Sequence, residues 1–229
     1  MIKHIAFIMD GNRRWATRRG LAKINGHKEG AETVKKVINF FLERKIPYVS
    51  LYTFSLENFK RSEIEKAFLF RLLVKESEGM LAECIEKEVR IKFIGDRSTF
   101  PKKVLPSCKK LEHETAGFSK LTVNFLFCYG GRQEIVDGVR QIAKKVQAGE
   151  LAQDDITEDI FQQTLWSSES PEPDLIVRTG GQLRLSNFLL YQAAYSEFCF
   201  IDCMWPDLNE KHLDQIVFNY ENRKRNFGV

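Results

Sequence analysis

The chain has 229 residues, enough to bury a sizeable core, so it needs no metal or disulfide staple in order to fold. Its 35 basic and 31 acidic residues leave a net charge of +4, which is too small to indicate a nucleic-acid partner and fits an anionic small substrate. The five cysteines form no Cys-x-x-Cys pair, which argues against a disulfide framework or a zinc cage and favours a reducing cytoplasm.

The first apolar run, residues 5–9, is far too short for a signal peptide or a membrane span. No later run reaches about 18 apolar residues either. We therefore expect a cytoplasmic protein that is at most peripheral at the inner face of a membrane.

Short apolar runs along the chain predict strands. They are rich in Ile, Val, Leu and Phe and show little alternation, which is typical of strands covered on both faces of a parallel sheet. In chain order these predicted strands are residues 5–9, Tyr48–Ser55, 90–95, Leu121–Tyr129, 174–179 and 198–204.

The intervening segments carry apolar residues at three- and four-residue spacing, which predicts helices over residues 27–44, 63–88, 133–147 and 211–225. Residues 17–26 and 167–173 are predicted loops. The aspartates at 154–159 resemble a magnesium motif of all-helical prenyl-chain enzymes, but a polar loop with Thr157 capping a short helix is favoured. The alternation predicts one α/β domain, residues 1–229, with a central, mainly parallel sheet of about six strands flanked by helices.

Polar residues concentrate where four of the predicted strands end. Ligands of open parallel sheets bind beyond the carboxyl ends of the strands, and all four of these turns carry arginine. Arginine binds phosphate oxygens bidentately, and glycine lets backbone N–H groups approach an anion closely. We therefore predict an active site for diphosphates at this edge, built from residues 10–14, 55–61, 130–132 and 178–187.

Asp10 is the only carboxylate of the first and fifth strand turns. A lone carboxylate among cations suits Mg²⁺ that bridges to a phosphate. The chain contains no Gly-x-x-x-x-Gly-Lys-Ser/Thr loop, no Gly-x-Gly-x-x-Gly turn after a strand and no Gly-x-Ser-x-Gly elbow. His27 follows a basic loop and is placed to reach an anion.

Several blocks, in order along essentially the whole chain, resemble the signature of the cis-prenyltransferases (isoprenyl transferases). The bacterial members that make undecaprenyl diphosphate are the most similar. The blocks include His-Ile-Ala-Phe-Ile-Met-Asp-Gly-Asn-Arg-Arg-Trp-Ala at 4–16, Gly26-His27, and residues 51–58, 178–190, 194–197 and 205–207.

The resemblance implies a Mg²⁺-dependent enzyme that adds isopentenyl diphosphate units to farnesyl diphosphate with new cis double bonds. The implied product is a long polyprenyl diphosphate, undecaprenyl diphosphate for the lipid carrier of cell-wall sugars. A homodimer and transient peripheral membrane contact are also implied, with small-molecule diphosphates as substrates and no nucleic acid. A non-catalytic partner subunit and a different product length are the alternatives.

The resemblance also assigns roles residue by residue. Asp10 is the implied catalytic magnesium ligand, Asn58 is a catalytic group that orients the condensing carbons, and Glu197 is a second metal contact supplied across the dimer interface. The other implied contacts are Gly11, Asn12, Arg13, Arg14, Trp15, Lys23 and His27 for the allylic diphosphate; Ser55, Leu56, Glu57, Phe59 and Arg61 for the substrate; and Arg178, Arg184, Leu185 and Ser186 for isopentenyl diphosphate.

The sequence departs from the family pattern in several places. Arg13 stands where Gly is frequent, Lys23 where Arg is frequent, and Leu183 at a frequent His position, which leaves more of the metal contact to Glu197. The growing chain needs an apolar tunnel. Its candidate lining, most of which we expect to be ordinary core, is Phe7, Leu51, Phe54, Phe68, Leu72, Met80, Leu121, Phe125 and Phe127.

Overall fold

A six-stranded sheet, in which every pair of neighbours is parallel, forms the centre of the computed structural model, which describes residues 1–223. The strands are β1 (His4–Ile8), β2 (Tyr48–Ser55), β3 (Val89–Ile94), β4 (Leu121–Tyr129), β5 (Leu175–Arg178) and β6 (Glu197–Phe200). Their order across the sheet is β3-β4-β2-β1-β5-β6. The predicted α/β class and parallel sheet are confirmed.

Helices connect these strands and cover the sheet. Over residues 1–223 they are α1 (Asn12–Arg18), α2 (Lys23–Glu43), α3 (Glu63–Glu86), α4 (Leu105–Glu114), α5 (Gly131–Gln147), α6 (Glu158–Gln163) and α7 (Glu210–Glu221). None of them is long and apolar enough to cross a membrane. Thr157 caps α6 as predicted, because its side chain accepts a hydrogen bond from the backbone N–H of Ile160.

The lack of alternation in the strand sequences reflects two cores, one on each face of the sheet. Ile5 and Phe7 of β1 point into the larger core, whereas Ala6 and Ile8 point into the smaller one. All nine residues of β4 are buried in the same way. Since both faces of the sheet are covered, apolar side chains are stabilising on either face. The strand sequences therefore do not alternate between apolar and polar residues.

The prediction of a loop over residues 17–26 is wrong, because α1 ends at Arg18 and α2 already begins at Lys23. The start of α2 was not predicted because its first turns contain two glycines, and glycine is a poor helix former. Gly26 is there for close packing: a Cβ at this position would lie 1.9 Å from the backbone oxygen of Asn12. The contact between α1 and α2 therefore stabilises a helix start that has no side-chain cap.

The remaining differences between prediction and structure are one helix that was not predicted and two elements that end earlier than predicted. Helix α4 was not predicted, because only Cys108 and Leu111 of its residues are buried and the apolar pattern is weak. The predicted strand 198–204 ends at Phe200, and the chain beyond it hydrogen-bonds to the turns after β5 and β1. The last helix, predicted to run to residue 225, ends at Glu221, and residues 224–229 lie outside the described part of the chain.

Candidate active site

Asp10 follows β1 and lies between two guanidinium groups. Arg178 Nη2 donates to Asp10 Oδ2 at 2.9 Å, and Arg14 Nη2 lies 3.1 Å from Asp10 Oδ1. Burial acts to raise the pKa of Asp10, but its hydrogen bonds to Arg178 and Arg14 outweigh this effect and hold the pKa below its usual value. Asp10 is therefore an anion throughout the neutral range.

The backbone around Asp10 is fixed by two other segments of chain. Its carbonyl oxygen accepts from Thr179 Oγ1 at 2.7 Å and from the backbone N–H of Trp205 at 3.0 Å. Gly11 follows with φ at 109°, and a Cβ there would lie 2.9 Å from the Cβ of Met204. Only glycine suits this left-handed, tightly packed position, so the turn after β1 has little freedom to move.

A basic cleft of about 510 Å³ opens beside this turn. Within its lining, Asp10 is the only carboxylate, whereas five side chains are lysine or arginine. Such an excess of positive charge suits a ligand with several negative charges. The cationic groups are Arg13, Arg14, Arg18, Lys23 and Arg61, and His27 lies with them.

An apolar cavity of about 460 Å³ adjoins the cleft and shares Asp10, Asn12, His27 and Arg61 with it. Five of the predicted tunnel residues line it, together with further leucines of α3. The apolar lining includes Phe54, Leu69, Leu72, Leu73, Met80, Phe125 and Phe127. Three other candidates are wholly buried in the core instead, namely Phe7, Leu51 and Leu121. Phe68 does not line the cavity either.

The turn after β5 brings Arg184 and Ser186 to the mouth of the same cavity. Arg178 organises this turn, because its Nη1 donates to Ser186 Oγ at 2.8 Å and also to the backbone oxygen of Arg184. The Arg184 guanidinium donates to Gln182 Oε1 at 2.7 Å. The predicted contacts for isopentenyl diphosphate thus lie next to Asp10, except that Leu185 packs into the smaller core.

Asn187 connects three strand-end turns, and we did not single it out from the sequence. Its Nδ2 donates to Glu57 Oε1 at 2.7 Å and to Gln133 Oε1 at 3.0 Å, and its Oδ1 accepts from the backbone N–H of Arg132. The turn after β4, which we expected to contact the ligand, lines neither the cleft nor the cavity. It instead supports Asn187 and, through it, the turn that carries Ser186.

Asn58 and Ser55 line the cavity at the end of β2. They form a reciprocal cap: the Ser55 N–H donates to Asn58 Oδ1 at 3.1 Å, and the Ser55 side chain accepts from the backbone N–H of Asn58. This arrangement fixes the orientation of the amide. It therefore fits the expected role of Asn58 in orienting a ligand.

Some predicted contacts lie apart from the cleft and the cavity. Trp15 Nε1 donates to Asp207 Oδ1 at 2.7 Å, and the side chains of Leu56 and Phe59 pack against the larger core. Glu197 begins β6 beside Leu175, at the amino end of the sheet. It accepts a hydrogen bond of 2.7 Å from Arg223 Nη1. One chain does not bring Glu197 to Asp10, so its metal contact stays a prediction about a dimer.

Five buried polar side-chain atoms within residues 1–223 have no hydrogen-bond partner, and three belong to residues lining this cavity: Asn12 Oδ1, His27 Nε2 and Arg178 Nε. Burial lowers the pKa of His27 to about 4, and the charges of Arg61 and Arg13 act in the same direction. Unpaired buried polar groups cost free energy, so their concentration here indicates a place that a polar ligand completes. Together, the basic cleft and the apolar cavity suit an amphiphile with a polyanionic head and an apolar tail.

Comparison with known proteins identifies the family. The family model described as "Putative undecaprenyl diphosphate synthase" matches residues 8–228. An isoprenyl transferase of Halalkalibacterium halodurans is 41% identical over 226 residues, covering 99% of this chain and 88% of that protein. The ditrans,polycis-undecaprenyl-diphosphate synthase ((2E,6E)-farnesyl-diphosphate specific) of Micrococcus luteus is 43% identical, covering 99% and 91%. The chain belongs to the undecaprenyl diphosphate synthase family and is a prenyltransferase.

Solved structures agree with this assignment. Lavandulyl diphosphate synthase from Lavandula x intermedia, in complex with dimethylallyl diphosphate, superposes with a TM-score of 0.97 at 33% identity and covers 100% of this chain and 98% of its own. A probable undecaprenyl diphosphate synthase from Campylobacter jejuni gives a TM-score of 0.82 at 33% identity, with coverage of 100% and 99%. The resemblance found in the sequence is confirmed at the level of family and fold.

Proposed function

We propose that the protein condenses isopentenyl diphosphate units, one after another and in cis, onto farnesyl diphosphate, with undecaprenyl diphosphate as the product. The observation that carries the proposal is the basic cleft with its single carboxylate, which opens directly into an apolar cavity. The cleft suits the diphosphate head, and the cavity suits the prenyl tail. The name of the Micrococcus luteus relative supports farnesyl diphosphate as the starter.

In the proposed reaction, the allylic carbon–oxygen bond breaks and its electron pair leaves on the diphosphate. The isopentenyl double bond attacks the allylic carbon, and the cationic adduct then gives up a proton to a base, which forms the new cis double bond. Arg13, Arg14 and Lys23 stabilise the negative charge that develops on the leaving group. Arg178, Arg184 and Ser186 hold the second diphosphate. Asn58 orients the reacting carbons, because an amide is too weak a base to take the proton itself.

Mg²⁺ is the cofactor in this proposal, and the residues present fit it. Within residues 1–223 no group of three His, Cys, Asp or Glu side chains is placed to hold a metal ion. The ionised Asp10 is instead a single carboxylate, and Mg²⁺ commonly takes one or two carboxylates, with phosphate oxygens and water for the rest. Bound there, the metal neutralises charge on the diphosphate. Glu197 supplies a further contact from the second subunit.

A homodimer, a cytoplasmic location and transient membrane contact complete the proposal. The short edge strand β6 supports the dimer, since its outer edge is unpaired among the described residues and Tyr195 just before it is 87% exposed. The lipid product supports contact with a membrane surface. The dimer is tested by its own measurement, apart from the assay of the reaction.

The test is to incubate the purified protein with farnesyl diphosphate, radiolabelled isopentenyl diphosphate and Mg²⁺, and to size the products. We expect a long polyprenyl diphosphate, and we expect chelation of the metal to stop its formation. Shorter products would favour a different chain length. No incorporation would favour the non-catalytic partner subunit.

Asp10→Ala should reduce incorporation by about 100-fold or more, because it removes the carboxylate that organises charge at the leaving diphosphate. A matched control is Asp214→Ala, which removes a surface carboxylate that pairs with Arg44, the residue that follows α2. Circular dichroism should show that both variants are folded. Full activity of Asp10→Ala would contradict the proposed role.

A further inference from the structure

Glu65 lies in the first turn of α3, and its carboxylate faces three basic side chains. Arg61 Nη1 is 3.1 Å from Glu65 Oε1, His27 Nε2 is 3.6 Å from the same oxygen, and Arg13 Nη1 is 3.9 Å from Glu65 Oε2. The side chain of Glu65 is only 15% exposed. It is therefore an anion held at short range by the arginines Arg13 of α1 and Arg61 of the turn after β2, with the His27 imidazole of α2 beside them.

The three partners of Glu65 are also part of the basic cleft. Glu65 itself lines a neighbouring surface depression. Arg13, Lys23 and Arg61 line both this depression and the cleft. The same guanidinium groups are thus available to two anions, the Glu65 carboxylate and a diphosphate in the cleft. The imidazole of His27 is neutral near pH 7, since its pKa is about 4, so Arg13 and Arg61 carry the charge of this contact.

A carboxylate in this place can affect the affinity for diphosphate in one of two opposite ways. If Glu65 only orients the arginines, its removal weakens binding, because the guanidinium groups lose their direction. If it competes, its removal strengthens binding, because an anion a few ångströms away repels a diphosphate and occupies donors that the diphosphate would use. The geometry favours competition: Arg13 lies 3.9 Å from Glu65, beyond hydrogen-bond range, so this contact supplies charge but little orientation, and only Arg61 is held by a hydrogen bond.

We propose that Glu65 is a resident counter-anion of the diphosphate cleft, which an arriving diphosphate must displace from Arg13 and Arg61. Its effect is to lower the affinity of the cleft for diphosphate, so that diphosphate released after a condensation leaves readily. Glu65 thus sets affinity through the arginines and contacts no reacting atom. The inference rests on the proposed function in one respect, namely that the ligand of the cleft is a diphosphate.

The test compares Glu65→Gln with Glu63→Gln. Both replacements remove one negative charge from the first turn of α3, but Glu63 is 90% exposed and pairs with Lys66 outside the cleft. The probe is inorganic pyrophosphate, titrated calorimetrically into the full chain in the presence of a chelator. We expect Glu65→Gln to bind pyrophosphate about five- to tenfold more tightly, and Glu63→Gln to stay within about twofold of the unaltered chain. A merely structural role of Glu65 would not produce tighter binding.

Equal or weaker binding by Glu65→Gln would overturn the inference. If this variant does not fold, Glu65→Asp replaces it: a shorter side chain withdraws the carboxylate, so the same tightening is expected at smaller size. If neither the unaltered chain nor Glu63→Gln binds pyrophosphate, the proposed diphosphate site fails and the inference fails with it. If both bind but Glu65→Gln gains nothing, only the inference fails.

Discussion

His4, at the start of β1, is a buried ionisable group that the reaction does not use. It is 2% exposed, and its Nδ1 lies 2.6 Å from the backbone oxygen of Pro171. A carbonyl only accepts, so Nδ1 carries the proton and Nε2 accepts from Ser50 Oγ at 2.8 Å. Burial lowers the pKa of His4 to about 4, despite the opposing effect of the Pro171 carbonyl. The folded protein thus holds His4 neutral.

This depressed pKa predicts a loss of stability in acid. Between about pH 6.5 and 4 the unfolded chain protonates His4 and the folded chain does not, so the free energy of unfolding falls as the pH falls. The loss from His4 approaches about 3 kcal/mol at the lower end of that range. Urea denaturation at several pH values between about 7.5 and 4 measures it.

The control for this pH dependence is His4→Gln, which keeps a donor and an acceptor but does not titrate. We expect it to be less stable than the unaltered chain near neutral pH and to lose less stability on acidification. Part of the slope remains in the variant, because the pKa of His27 is lowered in the same way. An identical pH slope in the two proteins would show that His4 is not the source.

At the scale of residues, the sequence correctly indicated which side chains lie at the site when those side chains stand at or near the end of a strand. Asp10 follows β1, Arg178 ends β5 and Ser186 lies in the turn after β5, and the structure brings the three together. Glu65 and Asn187 were not predicted as site organisers, because their partners come from separate turns far along the chain. The i,i+4 spacing of Arg61 and Glu65 was the one local signal for such a contact.

At the scale of elements, the glycines of two neighbouring helices have opposite meanings. Gly26 of α2 is where the backbone of α1 passes, whereas Gly79 of α3 has nothing within 4 Å of the place a Cβ would take. Both lie in helices, where alanine has the better intrinsic propensity by about 1 kcal/mol. Tertiary packing therefore decides the sign of a glycine-to-alanine change at each position.

We expect Gly79→Ala to raise the free energy of unfolding by about 0.5–1 kcal/mol. Gly26→Ala should lower it by about 1–3 kcal/mol, because the methyl group meets the backbone oxygen of Asn12 and separates α1 from α2. Urea denaturation of the two variants side by side measures both changes. Because Asn12 lines the cleft, Gly26→Ala should also weaken pyrophosphate binding. Equal stabilisation by both substitutions would show that α1 and α2 are not tightly packed.

Element prediction succeeded where burial alone determines structure. The strands β1, β2 and β4 lie inside the sheet, and their apolar runs gave their positions within a residue. Prediction failed where tertiary contact stabilises a segment without a strong pattern of its own. This is the case for α4, which buries few side chains, and for the start of α2, whose glycines are explained only by the neighbouring helix.

At the scale of the whole molecule, strand order determines which turns reach the ligand. Parallel strands have their carboxyl ends at one edge, so the sequence predicted the edge correctly. It did not predict the order, in which β1 lies between β2 and β5 while β4 is one strand further away. The turns after β1, β2 and β5 therefore line the cavity, and the turn after β4 supports them from outside.

The sheet also has an edge that suits a second copy of the chain. Among residues 1–223, strand β6 pairs only with β5, and its residues Phe198 and Phe200 stack on each other with ring centres 6.0 Å apart. Tyr195, which precedes it, is 87% exposed, and exposed aromatic residues beside an unpaired strand are typical of interfaces. Glu197 lies on the same strand, so a dimer formed at this edge would present it to the partner.

We expect Tyr195→Glu to raise the dissociation constant of the dimer by about tenfold or more, because it places a charge where an aromatic side chain would be buried. Analytical ultracentrifugation over a range of protein concentrations measures the change. Ile64→Glu is the matched control: Ile64 is 81% exposed on α3, so the same charge there should leave the dimer intact. An unaltered chain that sediments as a monomer at every concentration would contradict the dimer, and Glu197 would then have no route to the metal at Asp10.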